Sequence, residues 1–365
     1  MKINKMLLKL INYFIKKRKK INKFNFHGRE RILLLPYNKI GDMILFTPLL
    51  KSIKKQYPKI RIEILAGKVS SSILINNPNV YKIHYLNENL SLISKLFKII
   101  QLRKNRFDLL IDFSRKISLY QYLKILLIKS KIKIGPHKLN YYEKIFNIKS
   151  SQLKNYNILS GNRKNKHFSK YFLSLLDKTN IKKPTSIKLE LYFNEKNKSK
   201  PKKFLSKLKQ KLIGINIDGR TVQRTLKNED IKEILPKLIN NNTDYQIVII
   251  YKKIRKKLFS EIKSKYPNKV FLYPKTNSIH EIAYLIKNLS LIITPDTSIV
   301  HIASALKTKL LAIYSLNEGN YIRFHPINTT YKIIKGKNKK MNSIQNFDTK
   351  ELILKTNILL KEDEI

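Results

Sequence analysis

The stretch RILLLPYNKIGDMILFTPLL, residues 31–50, joins an unbroken apolar run to a polar turn and then to an apolar run with helical spacing. The first run, residues 31–37, has the length and composition of a strand that is buried on both faces. The turn that follows contains Gly41, and glycine permits a positive φ or a close approach of the backbone to a ligand. A buried strand that passes through such a turn into a helix is the building unit of a doubly wound α/β domain.

The same alternation of apolar runs and helical segments continues to about residue 135, weakens over residues 150–210, and resumes from residue 212 to residue 315. A chain of 365 residues is also longer than one hydrophobic core usually serves. We therefore predict an α/β fold with two doubly wound, Rossmann-like domains that face a cleft. The predicted parts are a basic amphipathic segment at 1–28, a first domain with its linker at 29–195, a second domain at 196–340, and a C-terminal helix at 341–365.

The chain is strongly basic, with 76 Lys and Arg residues against 24 Asp and Glu residues and a formal net charge of +52. Such an excess indicates a polyanionic partner, either nucleic acid, an anionic membrane or lipid phosphate. The abundance of Lys, Asn, Ile and Tyr is also typical of AT-rich coding, which accounts for part of the charge. A hydrophobic content of 42% excludes a disordered chain, and the absence of cysteine excludes disulfides and thiolate zinc sites. The histidine spacing predicts no metal site.

Residues 3–15 carry apolar side chains at the spacing of one helix face. The members of this stripe are Ile3, Met6, Leu7, Leu10, Ile11, Phe14 and Ile15, and the basic run Lys16–Lys20 follows. The stripe is shorter than the roughly 20 apolar residues that a transmembrane helix needs. Two interpretations stay open, a helix that lies on an anionic membrane surface and a helix that packs on its own domain.

A second strand-to-helix turn lies in ITPDTSIVHIASAL, residues 293–306. The N–H groups of Asp296, Thr297 and Ser298 at the start of a helix would form an anion site suited to a pyrophosphate. The Thr297 and Ser298 hydroxyls can add donors, whereas the Asp296 carboxylate is expected to contact a sugar hydroxyl or to cap its helix. His301 lies about one turn further on; it can donate to a phosphate, although a single histidine on a helix is more often structural.

The loop after the predicted strand at 212–218 carries Arg220, Arg224 and Lys227. These side chains are either solvated or, if they face the 296–301 turn across the same sheet edge, positioned to neutralise a diphosphate without a metal.

Asp42 has two interpretations of its own. It either caps the helix that follows the first strand or, if that helix begins at Thr47-Pro48, lies in a turn with its carboxylate available as a general base.

Four segments in this order resemble motifs of the ADP-heptose:lipopolysaccharide heptosyltransferases, glycosyltransferase family nine. The segments are IGDMILFTPLL, ILINNPNVYKI, FDLLIDF and PDTSIVHIASAL. The resemblance implies a GT-B fold, no cofactor, and an inverting, metal-independent glycosyltransferase with Asp42 as general base. It places Arg224, Asp296, Thr297, Ser298 and His301 at the donor, and Lys39 and Gly41 in the acceptor-side loop.

Three differences from the family pattern concern the donor pocket. Ser298 stands in place of a glycine, Leu226-Lys227 in place of Trp-Pro, and residues 315–319 in place of a Gly-Pro-Thr-like loop.

The resemblance further implies transfer of a sugar, heptose from ADP-heptose, to a lipopolysaccharide core or a related phosphorylated envelope glycolipid. It implies a cytoplasmic protein at the inner face of the cytoplasmic membrane, with an anionic membrane surface as a partner and no specific nucleic acid. Three alternatives stay open: a basic nucleic-acid-binding protein, a non-catalytic scaffold, and a GT-B nucleotide-sugar epimerase.

Overall fold

The computed structural model describes residues 2–87, 89–161, 166–276, 278–338 and 342–361. The chain divides into two compact units, Met1–Ile187 and Lys188–Ile365. Each unit contains one six-stranded sheet in which all strand pairs described are parallel. The predicted α/β class with two doubly wound domains is therefore confirmed, whereas the domain boundaries drawn from the sequence remain predictions.

The sheet of the first unit has the strand order β3-β2-β1-β4-β5-β6. Its strands are β1 (Arg31–Leu35), β2 (Arg61–Ala66), β3 (Lys82–Tyr85), β4 (Phe107–Asp112), β5 (Ser130–Pro136) and β6 (Ile158–Ser160). The helices of this unit are α1 (Lys2–Phe14), α2 (Ile40–Gln56), α3 (Lys68–Ser71), α4 (Leu92–Gln101), α5 (Leu119–Leu127), α6 (Asn140–Phe146) and α7 (Phe168–Ser174).

The second unit repeats this topology with the order β12-β11-β10-β7-β8-β9. Its strands are β7 (Lys211–Asn216), β8 (Tyr245–Ile250), β9 (Val270–Leu272), β10 (Leu291–Pro295), β11 (Lys309–Tyr314) and β12 (Tyr331–Lys335). Its helices are α8 (Ser199–Leu205), α9 (Asn228–Asn241), α10 (Lys256–Lys265), α11 (Ile279–Lys287), α12 (Ser298–Leu306), α13 (Glu318–Phe324) and α14 (Thr349–Lys361).

In each sheet the strand order has a switch point between the first and the fourth strand of the unit. These neighbours are β1 and β4 in the first sheet and β7 and β10 in the second. In open parallel sheets, ligands bind beyond the carboxyl ends of the strands at this switch point. The loops that follow β1, β4, β7 and β10 are therefore the ones to examine for a site.

The central strands are buried because apolar side chains point to both faces of each sheet. In β1 the residues from Ile32 to Leu35 are buried, and in β10 all five residues are buried. Ten strands coincide with apolar runs that the sequence revealed. The edge strands β6 and β12 were not predicted, because β6 has three residues and β12 is only partly buried, so neither produces a strong apolar run.

The predicted helix is present as α1, and most of its apolar stripe is exposed instead of packed on the domain. Leu8, which is not part of that stripe, is fully buried in the core of the first unit, and Asn12 is buried beside it. Met6, Leu10 and Phe14 of the stripe are exposed. Leu7 of the stripe is exposed as well, whereas Ile11 and Ile15 pack partly against the core. The Ile3 side chain lies outside the described residues.

Within the described part of the chain, none of the helices has both the length and the apolar character that crossing a bilayer requires.

Candidate functional site

The first element of the candidate site is Asp42, which lies in the first turn of α2 and is 5% exposed. The helix begins at Ile40, since the N–H of Met43 already donates to the carbonyl of Lys39 at 3.1 Å. A carboxylate in a first turn is stabilised by the positive end of the helix dipole and by N–H groups that have no intrahelical acceptor. Because α2 follows β1 after a short loop, the Asp42 carboxylate lies beyond the carboxyl end of β1, at the switch point of the first sheet.

The hypothesis that this helix begins at Thr47-Pro48 is wrong. Pro48 lies inside α2, although proline has no N–H to donate to the carbonyl of Ile44 four residues earlier. The Thr47 hydroxyl donates to that carbonyl at 2.8 Å and replaces the missing bond. The helix therefore continues through the proline, and Asp42 belongs to a helix instead of a turn.

Lys39 and Gly41, predicted for the acceptor-side loop, flank the start of α2. Lys39 is the exposed N-cap residue and makes no side-chain capping bond. Gly41 is part of the helix itself, so the positive φ that its sequence position allowed is not used. The neighbouring Asn38 accepts a hydrogen bond from the N–H of Gly67 at 3.1 Å, which ties the loop after β1 to the loop after β2.

A second carboxylate, Asp112, ends the adjacent strand β4 and is fully buried. One of its oxygens accepts from the Tyr156 hydroxyl at 2.6 Å and pairs with the Lys138 ammonium at 3.0 Å. The other accepts from the Gln121 amide at 2.6 Å and from the Ser114 N–H at 3.0 Å. Because donors surround both oxygens and the group has no exposure, Asp112 serves the structure of this edge.

In the second unit the candidate site begins where β10 passes into α12. Thr297 is the N-cap of α12, and its hydroxyl accepts from the N–H of Ile299 at 3.2 Å. The N–H of Asp296 donates to the carbonyl of Ile313 at 2.9 Å, as a continuation of the sheet. The prediction that the Asp296 N–H contributes to an anion site is therefore wrong, and the helix start offers the N–H groups of Thr297 and Ser298.

The Asp296 carboxylate is held by side chains from two neighbouring elements of the second unit. It does not cap α12, a role taken by Thr297, but pairs with Arg224 Nη1 at 3.1 Å. Asn320 on α13 donates its side-chain amide to the same carboxylate oxygen at 2.5 Å. Asp296 is 6% exposed, and these two donors fix its orientation.

Arg224 reaches this position from a short 3-10 turn, Val222–Arg224, in the loop after β7. The turn folds back against Gly219, where a Cβ would lie 2.1 Å from the carbonyl oxygen of Arg224, so only glycine fits. Besides its ion pair, Arg224 donates to the Asp296 carbonyl at 3.3 Å and to the side chain of Asn342 at 3.4 Å. The structure thus brings Arg224 and Asp296 together at the switch point of the second sheet.

Residues that sequence reasoning missed complete this cluster. Gly219 shapes the Arg224 turn, Asn320 holds Asp296, and Asn342 accepts from both Arg224 and Asn317. Gly219 carried a usable signal, because it follows a predicted strand within the basic loop. The asparagines carried none, since asparagine is common throughout this chain.

Ser298 and His301, the other residues predicted for the donor side, both lie on α12 but in different surroundings. Ser298 is the first residue of the helix and is partly exposed. His301 is 5% exposed and lies against Phe324, with 6.2 Å between the ring centroids, so it is part of the packing between α12 and α13. Arg220 and Lys227 are exposed and stand apart from the Arg224–Asp296 pair in the contacts described.

Asp218, at the carboxyl end of β7, forms a separate ion pair with Arg255 at 2.7 Å. Burial alone would raise the pKa of the Asp218 carboxyl, but hydrogen bonds from the N–H groups of Lys253 and Lys252 and the Arg255 pair lower it below its usual value. Asp218 therefore stays ionised and fixes the loop after β8 beside the Arg224 turn.

No group of three or more His, Cys, Asp or Glu side chains arranged to hold a metal ion is found among the described residues. The cations at the second switch point are those of the protein, Arg224 foremost. The arrangement can bind an anion through a guanidinium and a helix start in the second unit. It offers a buried carboxylate at a helix start in the first unit.

Comparison with known proteins gives concordant results. The family model for glycosyltransferase family 9 (heptosyltransferase) matches residues 95–353. A segment of 79 residues is 32% identical to lipopolysaccharide heptosyltransferase 3 of Escherichia coli. This segment covers 20% of this chain and 23% of that protein. The match thus spans less than a quarter of that relative. The family model begins after Asp42, so Asp42 lies outside the matched residues.

Solved structures with the same fold include a family 9 glycosyl transferase from Veillonella parvula, at a TM-score of 0.75 and 16% identity over 92% of this chain and 99% of that one. ADP-heptose lps heptosyltransferase II of E. coli superimposes at a TM-score of 0.71 and 18% identity, over 92% of this chain and 100% of that one. E. coli heptosyltransferase WaaC with ADP gives a TM-score of 0.67 and 14% identity, over 90% and 99%.

Proposed function

The chain belongs to glycosyltransferase family 9, and we propose that it is an inverting, metal-independent glycosyltransferase. The proposed donor is ADP-heptose, and the proposed acceptor is a lipopolysaccharide core or a related phosphorylated envelope glycolipid. Two relatives support this choice, one described as an ADP-heptose lps heptosyltransferase and one as a heptosyltransferase with ADP. The proposed location is the cytoplasmic side of the inner membrane, where the net charge of +52 suits an anionic surface.

The observation that carries the proposal is the cluster at the switch point of the second sheet. The Arg224 side chain is 23% exposed, so its guanidinium is accessible from solvent while Asp296 and Asn342 hold it in place. The start of α12 lies at the same sheet edge, directly after Asp296. A guanidinium and a helix start on one edge form a site for the diphosphate of a nucleotide sugar.

The proposed reaction is a single displacement. The Asp42 carboxylate takes the proton of an acceptor hydroxyl, and the hydroxyl oxygen bonds to the anomeric carbon of the donor. The bond from that carbon to the diphosphate oxygen breaks, and the nucleoside diphosphate leaves. Arg224 and the N–H groups at the start of α12 stabilise the negative charge that develops on the leaving group, which is the role of a metal ion in other enzymes.

Asp296 acts in this scheme as a positioning residue. A carboxylate that faced the diphosphate would repel it, but here one oxygen is shared by Arg224 and Asn320. The pair orients the guanidinium and leaves its other N–H groups to the ligand. Ser298 in place of glycine adds a hydroxyl donor at the helix start.

The decisive experiment replaces Asp42 by Asn and measures sugar transfer from ADP-heptose to heptose-deficient lipopolysaccharide. We expect turnover to fall by about 10²–10⁴-fold, because the amide cannot accept the proton, with ADP affinity and thermal unfolding unchanged. Asp108→Asn is the matched control, since Asp108 is a carboxylate of the same unit that lies at the amino end of β4, away from the switch point. Near-normal turnover of Asp42→Asn would remove the assignment of Asp42 as the base.

Donor class is tested separately by calorimetry with ADP, UDP, GDP and CDP. A saturable preference for ADP is expected, and a preference for another nucleotide would keep the reaction type and change the donor. Conversion of the donor without any acceptor would favour an epimerase. Binding of RNA that falls steeply with salt, without nucleotide binding, would favour a nucleic-acid-binding protein, and no binding at all would favour a scaffold.

A further inference from the structure

The helices α1, α4 and α5 pack on one face of the first sheet, with α5 between the other two. Leu8 of α1, Ile99 of α4 and Tyr122 of α5 belong to one buried cluster, and α5 contacts both other helices. Lys95 of α4 and Lys124 of α5 place their ammonium groups over the ring of Tyr120, at 5.7 and 5.6 Å from its centroid. We call the outer side of α1 and α4 the two-helix surface.

The two-helix surface exposes large apolar side chains on both helices. On α1 these are Met6, Leu7, Leu10, Tyr13 and Phe14, with exposures of 59%, 39%, 45%, 74% and 78%. On α4 they are Leu92, Ile93, Phe97 and Ile100, with exposures of 46%, 67%, 63% and 43%. Single exposed apolar residues are common on any protein. Nine of them on two helices of one layer indicate a surface that a membrane or another molecule covers.

The charges of these segments have one sign. Residues 2–25 and residues 91–106 contain lysines and arginines and no aspartate or glutamate. Lys9 on α1 and Lys98 on α4 are exposed among the apolar side chains. A helix that combines exposed leucine, isoleucine and phenylalanine with lysines alone has the composition of a segment that lies in a bilayer interface.

We propose that the two-helix surface binds an anionic lipid bilayer, with the apolar side chains of both helices inserted at the headgroup boundary and the lysines paired with lipid phosphates. The charge complementarity favours this occupant over a protein, which would not require one sign of charge throughout. The inserted aromatic and aliphatic side chains favour it over nucleic acid, whose backbone is contacted by cations and polar groups. The sequence pattern suggested a membrane anchor on α1 only. We add α4 to the surface because its large apolar side chains are exposed in the structure.

The position of α4 connects this surface with Asp42. β3 ends at Tyr85 and α4 begins at Leu92, so the first turn of α4 starts from the carboxyl edge of the sheet, the edge beyond which Asp42 lies. Insertion of Leu92 and Ile93 would therefore hold that edge near the membrane, within reach of a sugar attached to a lipid. Bilayer binding itself does not depend on the proposed sugar transfer and is measured without it.

The first test is co-sedimentation of the full chain with vesicles of phosphatidylglycerol and phosphatidylcholine. We expect binding that requires the anionic lipid, and a fall of more than about tenfold for Ile93→Glu with Phe97→Glu and for Leu10→Glu with Phe14→Glu. The matched control is Leu354→Glu with Ile358→Glu, two exposed apolar residues of α14 in the second unit, which should bind as the unmodified chain does. ADP affinity should be unchanged in all three variants, so a failure here is distinct from a failure of the donor site.

Unimpaired binding of the α4 variant would overturn the two-helix surface and leave α1 as the anchor. Equal binding to vesicles of phosphatidylcholine alone would overturn the role of the lysines, and no binding to anionic vesicles would overturn the proposal altogether.

The second test uses the absence of tryptophan from this chain. Phe97→Trp and Phe14→Trp each introduce a single indole, whose emission should shift to shorter wavelength when anionic vesicles are added. Ile254→Trp, at an exposed position in the second unit, should not shift. Emission from Phe97→Trp that stays at the wavelength of an indole in water, while the protein co-sediments, would show that α4 does not enter the bilayer and would reject its part in the surface.

Discussion

Two aspartates lie at corresponding places in the two units, but their surroundings differ. Asp112 ends β4 and Asp296 directly follows β10, and these strands occupy the same place in the same strand order. Asp112 pairs with Lys138, whose side chain is 3% exposed, whereas Asp296 pairs with Arg224, whose side chain is 23% exposed. One pair is sealed inside the protein, and the cation of the other is open to solvent.

The difference shows that position in the fold does not assign a role to a carboxylate. Burial lowers the pKa of the Lys138 ammonium, and the charge of Asp112 opposes that shift. The planar fork of the Arg224 guanidinium can bind a carboxylate and a phosphate together. Access of solvent to the cation separates the structural pair from the pair for which we propose a binding role.

The largest effect is expected for Asp112→Ala. This change leaves the Lys138 ammonium buried without its counter-charge, and we expect a loss of about 3–5 kcal/mol in the free energy of unfolding. Urea denaturation measures it. The double variant Asp112→Ala with Lys138→Met should regain part of the loss, because it removes the unpaired charge. A loss below about 1 kcal/mol for the single variant would show that the sealed pair is not structural.

Lys133 sharpens the comparison, because it is a buried lysine whose described side-chain bonds go to backbone carbonyls of α5. Burial, with a smaller repulsion from Arg18 and Arg103, lowers the pKa of its ammonium to about 7. The unfolded chain therefore binds more protons at this site between pH 7 and the ordinary lysine value of 10.5, and the contribution of Lys133 to stability rises with pH over that window.

The stability of the unmodified chain relative to Lys133→Met should accordingly increase by a few kcal/mol from pH 7 to pH 10.5. Urea denaturation of both proteins across that range checks it. A difference that does not change with pH would mean that Lys133 keeps its charge in the fold through a partner, as Lys138 does.

For the open pair, Arg224→Ala should weaken ADP binding by about 10–100-fold, because a charge-assisted bond to a phosphate is lost. Calorimetry measures the dissociation constant. Arg220→Ala is the matched control, an exposed arginine of the same loop, and should leave the affinity unchanged. An equal loss in both variants would mean that the loop acts only through its overall charge.

The smallest effects are expected from two amides that support the two aspartates. Asn320 donates to Asp296, and Gln121 donates to Asp112. Replacing either by Ala should cost about 1 kcal/mol of stability. Only Asn320→Ala should also weaken ADP binding, because only Asp296 orients a cation that meets the ligand. A change of ADP affinity in Gln121→Ala would contradict the division between a sealed and an open pair.

Sequence reasoning succeeded wherever the signal is local. The apolar runs identified ten strands. For the basic loop after β7 the sequence left two alternatives open, solvated side chains or a loop that faces the turn after β10, and in the structure Arg224 contacts Asp296. At the start of α2 it left two positions open, and the one at Thr47-Pro48 is wrong. Pro48 resembles a helix start, and the compensating bond from Thr47 cannot be read from spacing. On α1 it predicted the helix and its apolar stripe but left open whether the domain covers that stripe, because periodicity does not show which face of a helix is covered.

The sequence by itself determined the α/β class, the two doubly wound units and the order of the turns that carry polar residues, because these depend on periodicity within short segments. Only the tertiary structure decided which partners each charged group has. Arg224 and Asp296 are 72 residues apart, and Arg224 and Asn342 are 118 apart. The same holds for exposure on α1 and α4, since burial is set by the elements that pack against a helix and not by its own spacing.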